Sequence, residues 1–342
     1  MKRILIIRLS AIGDVVFASP MIDALRQAHP RAHIAWLLEP AQAELVRHHP
    51  GLDEVIVLPR GAWRALWRAR RYATLAHELR TFVQTLRTRG FDTAIDLQGL
   101  FKSGVWAWLS GARRRIGLGS REGSGLLMTE VHPRGGEDAL IGSEYRFLAA
   151  RLGLDTHDFA MRLALPEAAI QTAEARFGER SPIVLAPFTT RPQKHWFEEA
   201  WRALIPELAQ TFQAPVVLLG GPDDRVAGER IVADLPALNL CGQTSLAEAA
   251  AIIHRARLLI GVDTGLTHMG TAFERPTLCL FGSTRPYLRT ESPVTRVIYH
   301  ALPCAPCKRR PTCGGAYTCM RDITPDEVMH HAQILLGNAS AP

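Results

Sequence analysis

The chain has 342 residues, 47% of them hydrophobic, and 40 Lys and Arg against 33 Asp and Glu give a formal net charge of +7. That length suffices for two domains with their own cores, and the apolar content excludes a disordered chain. No apolar run reaches the roughly 18 residues of a membrane-spanning helix. The run after Lys2-Arg3 is too short for a signal peptide and is interrupted by Arg8, so it reads as a first strand and the protein is expected to be cytoplasmic. The positive balance favours an acidic partner: nucleic acid, an anionic membrane surface or a phosphorylated substrate.

Residues 4–7, 34–38, 55–58 and 93–97 are short apolar runs that predict strands, followed by helical patterns such as 21–27 and 75–88. Pro20 is placed to start or kink the first long helix. Residues 155–182 hold few apolar runs and several charges. The boundary between an N-terminal domain (1–165) and a C-terminal domain (166–342) is expected there. Strands are then predicted at 183–186, 216–219, 258–262 and 277–281, with helices at 198–211, 225–233, 246–254 and 266–273. A last helix, 325–336, follows a cysteine-rich segment. This alternation predicts parallel sheets covered on both faces: two doubly wound, Rossmann-like α/β domains facing a central cleft.

Four strand-to-turn segments carry the chemistry. After the first strand comes Arg8-Leu-Ser-Ala-Ile-Gly13-Asp14. Gly13 permits a tight turn, and Asp14 is either a helix N-cap or a general base at the carboxyl end of that strand. After the strand at 183–186, Thr189, Thr190 and Lys194 offer two hydroxyls and an ammonium, a set suited to cradling phosphate or else a solvated loop. Neither a Walker loop nor a Gly-x-Gly-x-x-Gly turn is present. Gly220-Gly-Pro-Asp223-Asp224 allows close approach of a ligand and puts a carboxylate within reach of ribose hydroxyls, or is an Asp-rich cap. In Ile260-Gly-Val-Asp-Thr-Gly-Leu-Thr-His268, backbone N–H groups of Thr264, Gly265 and Leu266 suit a phosphate and Asp263 suits sugar hydroxyls, while His268 alone reads as a packed histidine. These segments put the nucleotide contacts within 185–270 and one separate carboxylate, Asp14, in the other half, as expected of a sugar-nucleotide transferase.

Ile4-Leu-Ile-Ile-Arg-Leu-Ser-Ala-Ile-Gly-Asp-Val-Val16, Asp96-Leu-Gln-Gly-Leu-Phe-Lys-Ser103, Lys194-His-Trp196 and Val262-Asp-Thr-Gly-Leu-Thr-His268 resemble the ADP-heptose:lipopolysaccharide heptosyltransferases of glycosyltransferase family 9. The resemblance is greatest to the branch that adds the first heptose to the Kdo-lipid A inner core, and runs from Met1 to about Leu336. It implies a GT-B fold, an inverting mechanism with no cofactor required for catalysis, and an ADP-heptose site in the C-terminal domain. It implies further that Asp14 is the base and that Thr189, Thr190 and Lys194 bind the diphosphate. Asp223 then stands where the family has a ribose-binding glutamate, and Thr244 falls near the adenine position. Asp263, Thr264, Gly265, Leu266 and His268 match the heptose and phosphate contacts.

An anionic lipid A-type acceptor would suit the stretch from Arg60 to Arg71, which carries five further basic or aromatic positions of note: Arg64, Arg68, Arg70, Trp63 and Trp67. Arg60, Arg64, Lys102 and Arg121 are acceptor candidates. Trp63 and Trp67 sit at helical spacing for a face lying on the inner-membrane surface, although an amphipathic helix without a membrane role has the same pattern. Cys304, Cys307, Cys313 and Cys319 have the makings of a tetrahedral structural zinc or iron site, or are reduced structural thiols or adventitious disulfides; Cys241 and Cys279 look like core residues. The alternatives are a protein O-heptosyltransferase acting on an autotransporter, a GT-B-like epimerase, and a zinc-containing nucleic-acid-binding module. No nucleic-acid partner is expected, because the nucleotide-site motifs would then have no purpose.

Overall fold

The computed structural model describes residues 1–308 and 310–338; Arg309 and residues 339–342, all within the expected second domain, lie outside the described residues. β1 (Arg3–Ile7), β2 (His33–Leu38), β3 (Glu54–Val57), β4 (Thr93–Asp96), β5 (Arg114–Leu118) and β6 (Glu130–His132) form one parallel sheet in the order β3-β2-β1-β4-β5-β6. β7 (Ile183–Ala186), β8 (Val216–Leu218), β9 (Ala237–Asn239), β10 (Leu258–Val262), β11 (Thr277–Phe281) and β12 (Thr295–Tyr299) form another, in the order β12-β11-β10-β7-β8-β9. Counted from its own first strand, each sheet has the order 3-2-1-4-5-6 or its mirror listing, so each has a switch point beside its first strand.

The chain divides into two units. Met1–Glu137 with Gly142–Ala164 carries the first sheet, and Leu165 onward with the short strap Asp138–Ile141 carries the second. Central strands are apolar on both faces because helices cover both: Ile4 to Ile7 of β1 and Leu258 to Ile260 of β10 are wholly buried. In the second unit, Trp201, Leu204, Ile205 and Leu208 of the helix Glu198–Phe212 pack with Leu185, Leu218 and Ile260. Each such fully buried aliphatic side chain contributes about 1.5–3 kcal/mol.

The strands predicted from apolar runs are present, but β5, β6, β9 and β12 were not anticipated. β6, β9 and β12 are sheet margins and short or half-exposed, as in Glu130-Val-His132 and Ala237-Leu-Asn239, so they lack the apolar runs that mark central strands. β5 opens with Arg114-Arg115 and is buried only from Ile116 to Leu118. The charged stretch 155–182 holds a helix, Glu167–Phe177, anchored by buried Ala169, Ala173 and Phe177. No helix among the described residues is long and apolar enough to cross a membrane.

Candidate active site

In the first unit the chain leaves β1, turns, and enters the helix Ile12–Ala18. Asp14 is the third helical residue, so it is not the N-cap; that place belongs to Ala11. Its Oδ2 accepts the Ala11 N–H (3.2 Å) and an ion pair from Arg8, whose guanidinium is buried, while the Asp14 side chain stays 39% exposed. At the next strand end, Asp96 is wholly buried and accepts the Gln98 and Gly99 N–H groups (2.9 and 3.1 Å) and the Ser103 hydroxyl (2.9 Å). Burial outweighs these bonds and raises the Asp96 pKa. The motif from Asp96 to Ser103 therefore builds the turn that presents Lys102.

The acceptor candidates follow strands of the same sheet. Arg60 opens the helix Arg60–Arg68 after β3 and pairs with Glu39 (2.8 Å); exposed Arg64 lies one turn on. Lys102 follows β4 and Arg121 follows β5, and the Arg121 N–H to Gly99 carbonyl bond (2.8 Å) ties those two turns together. One expectation fails here. Trp63 is buried, stacked on Trp106 (5.7 Å between ring centroids) and edge-on to Phe82 (5.3 Å), so it belongs to the core. Trp67 is the exposed partner of that spacing, 62% open.

In the second unit the turns after β7, β8, β9 and β10 lie along one carboxyl edge, because those strands are adjacent in the order β9-β8-β7-β10. The β7 turn carries Thr189 and Thr190, braced by the His195 Nε2–H to the Thr189 carbonyl (2.7 Å), and then Lys194. Lys194 Nζ lies 2.5 Å from Asp263 Oδ2 at the end of β10. The Thr284 hydroxyl donates to the same oxygen, and His268 Nε2 meets Oδ1 at 3.3 Å, its Nδ1 facing the Tyr287 hydroxyl at 3.0 Å. Burial alone would raise the Asp263 pKa, but the His268 bond and the charges of His268 and Lys194 outweigh it and hold the carboxyl well below the usual range. Asp263, expected as a sugar contact, is thus also an anchored carboxylate, bonded to Lys194, Thr284 and His268. His268, buried and bonded at both ring nitrogens, is a support for it.

Past Asp263, Thr264 is the N-cap of the helix Gly265–Ala272; its own N–H is taken by the Val262 carbonyl (2.7 Å), which leaves the Gly265 and Leu266 amides of the first turn as the ones a helix N-terminus offers an anion. The Thr267 hydroxyl donates to the Val262 carbonyl (2.7 Å) and fastens this turn. A Cβ on Gly261 would collide with Thr267 Oγ1 and fall 2.9 Å from Ala186 Cβ. Gly261→Ala is expected to cost about 1–3 kcal/mol, read as a lowered urea midpoint with weakened ADP binding.

After β8, Asp224 accepts the Gly221 N–H (2.8 Å) and closes the capping turn, while Asp223 is exposed. Thr244, half-buried after β9, precedes Ser245, whose capping box with Glu248 starts the helix Leu246–His254. Thr284 and Tyr287 were not among the residues expected from sequence. The turn Phe281-Gly-Ser-Thr284 after an apolar strand repeats the pattern of the other site turns and was the available signal.

The four cysteines line one small cavity with Ser283 and Tyr317. Among the described residues no three metal-ligating side chains are arranged to hold an ion, so nothing in this geometry supports the zinc or iron site. At this cavity Cys319, on the helix Thr318–Arg321, is buried and Cys304 is exposed. Cys241 and Cys279 are buried, as expected of core residues.

Two doubly wound parallel sheets, each with charged turns at its switch point, define an α/β enzyme of the nucleotide-binding type. The sequence model of glycosyltransferase family 9 (heptosyltransferase) matches residues 79–317. Lipopolysaccharide heptosyltransferase 1 of Pseudomonas aeruginosa is 30% identical over 324 residues, 91% of this chain and 87% of that protein. The solved structure of Escherichia coli ADP-heptose LPS heptosyltransferase II is 25% identical with a TM-score of 0.79 over 100% of both chains. E. coli heptosyltransferase WaaC with ADP-2-deoxy-2-fluoro heptose is 25% identical with a TM-score of 0.74, over 97% of this chain and 99% of that one. The chain belongs to glycosyltransferase family 9, the heptosyltransferases, and has their GT-B fold.

Proposed function

We propose that the protein transfers heptose from ADP-L-glycero-D-manno-heptose to the Kdo-lipid A inner core of lipopolysaccharide, with inversion. The observation that carries this reading is the matched pair of switch-point turns. One offers a carboxylate, Asp14, and the other a cation, Lys194, set beside two threonines and a helix N-terminus. The acceptor hydroxyl attacks the anomeric carbon, its proton passes to Asp14, and the bond to the β-phosphate oxygen breaks with the electron pair leaving on ADP. Lys194, the Thr189 and Thr190 hydroxyls and the amides after Asp263 meet the charge that develops on the diphosphate. Asp223 takes the ribose and Thr244 lies toward the adenine. Asp14 belongs to the first unit and the donor turns to the second.

Arg60, Arg64, Lys102 and Arg121 bind the acidic acceptor, and the helix Arg60–Arg68 with exposed Trp67 rests on the cytoplasmic face of the inner membrane. Arg64→Glu combined with Trp67→Ser is expected to abolish sedimentation with anionic vesicles at low salt; unchanged sedimentation rules this face out. The test of the function pairs ADP-heptose with Kdo-lipid A, with core already carrying one heptose, and with no acceptor, and sets UDP- and GDP-sugars against the ADP donor. Transfer to Kdo-lipid A alone is expected. Transfer only to the heptosylated core makes this a second-heptose enzyme, and turnover without acceptor makes it an epimerase.

A further inference from the structure

We propose that Arg8 is the positioning residue of Asp14: it holds one carboxylate oxygen so that the other is presented to the acceptor hydroxyl. The inference rests on the reading of Asp14 as base. Arg8 is 6% exposed, and burying a guanidinium is costly unless its partners are close and well placed. Among the described residues, Asp14 is the one carboxylate within ion-pair distance of Arg8, and Arg8 Nε has no hydrogen-bond partner. A buried arginine kept for packing would be expected to pair with a buried acid. Wholly buried Asp96 is in its field yet is satisfied by its own turn, and Arg8 pairs with the partly open Asp14 instead.

The bond pattern divides the two oxygens of Asp14. Oδ2 accepts from both Arg8 and the Ala11 N–H, whereas Oδ1 has no partner among the described residues. A carboxylate pinned through one oxygen keeps its plane and rotamer, and the lone pairs of the other stay free to take a proton. The remaining ionisable groups around the pair are Glu144 and Tyr145 of the helix Ser143–Arg151, Asp96 at the end of β4, and Arg134. Glu144 is itself paired with Arg134, and burial pushes the Tyr145 hydroxyl far above its ordinary range, so it stays neutral. Arg8 is thus the cation that acts on Asp14.

Removing the cation frees the carboxylate to turn away from the acceptor hydroxyl. Arg8→Met is expected to lower kcat by about 10–100-fold and to leave the donor KM unchanged. Arg8→Lys, which restores the charge, is expected to return most of kcat; Arg8→Gln replaces Arg8→Met if the latter does not fold. Wild-type kcat in the uncharged variant overturns the assignment. So does an Arg8→Lys enzyme as impaired as the uncharged one, because that outcome makes the role one of packing. Asp14→Asn is measured beside them. If it keeps wild-type turnover, the base itself is wrong and the inference falls with it; if it is inactive, the base stands and the Arg8 variants alone decide the positioning role.

Discussion

Asp14→Ala is expected to lower kcat by about 10²–10⁴-fold and to leave the donor KM close to the wild-type value. The size follows from the proposed role of Asp14 as the group that takes the acceptor proton, while the proposed donor turns belong to the other unit. Asp14→Asn behaves alike, because a carboxamide has nearly the shape of the carboxylate but no basic oxygen. Both changes also strip the buried Arg8 of its ion-pair partner, so activity is compared at a temperature where melting curves show each variant folded. Wild-type turnover of ADP-heptose in Asp14→Ala would remove this residue from the chemistry.

Lys194→Met is expected to be the most damaging change to stability at the site and to impair donor use as well. It leaves Asp263, 8% exposed, without the cation at 2.5 Å, and breaking such a pair from one side costs about 3–5 kcal/mol. In the assay the leaving diphosphate loses its point charge, for an expected fall in kcat of about 10²–10³-fold. The pH dependence has a definite sign. The folded pKa of Asp263 is depressed, so its stabilisation is complete above the unfolded carboxylate value of about 3.9 and is lost as pH falls below it toward the folded value. Urea midpoints of the wild type should therefore drop on going from neutral pH to about pH 3 by more than those of Lys194→Met. Equal midpoints for the two proteins at pH 7 would show that the pair carries no weight.

How much of this was legible depended on burial. β1, β2, β7, β10 and β11 are covered on both faces and so read as continuous apolar runs. The margins β6, β9 and β12 meet solvent and carry Glu130, His132, Asn239 and Arg296, which hide them. Trp63 and Trp67 show the limit of helical spacing. Four residues apart they share a face, but Phe82 and Trp106 cover the first and nothing comparable covers the second, which stacks edge-on with exposed Tyr72. The four cysteines share a segment and line one small cavity, and only the fold around Thr318–Arg321 decides that Cys319 is buried there while Cys304 is exposed.

The sequence by itself determined the kind of turn at each strand end: small residues, a carboxylate or a lysine, and the start of a helix. Those are local properties, set by which residues tolerate a tight turn and which can face an anion. Only the tertiary structure decided the pairing of charges. Lys194 and Asp263 are 69 residues apart in the chain and meet because β7 and β10 are neighbours in the sheet. Arg8, which in the sequence only interrupts an apolar run, becomes the partner of Asp14 because the turn after β1 folds the chain back on itself. Strand order and burial bring such groups within a few ångströms and remove the water between them. That is where a charge acquires enough energy to orient a base or hold a cation in place.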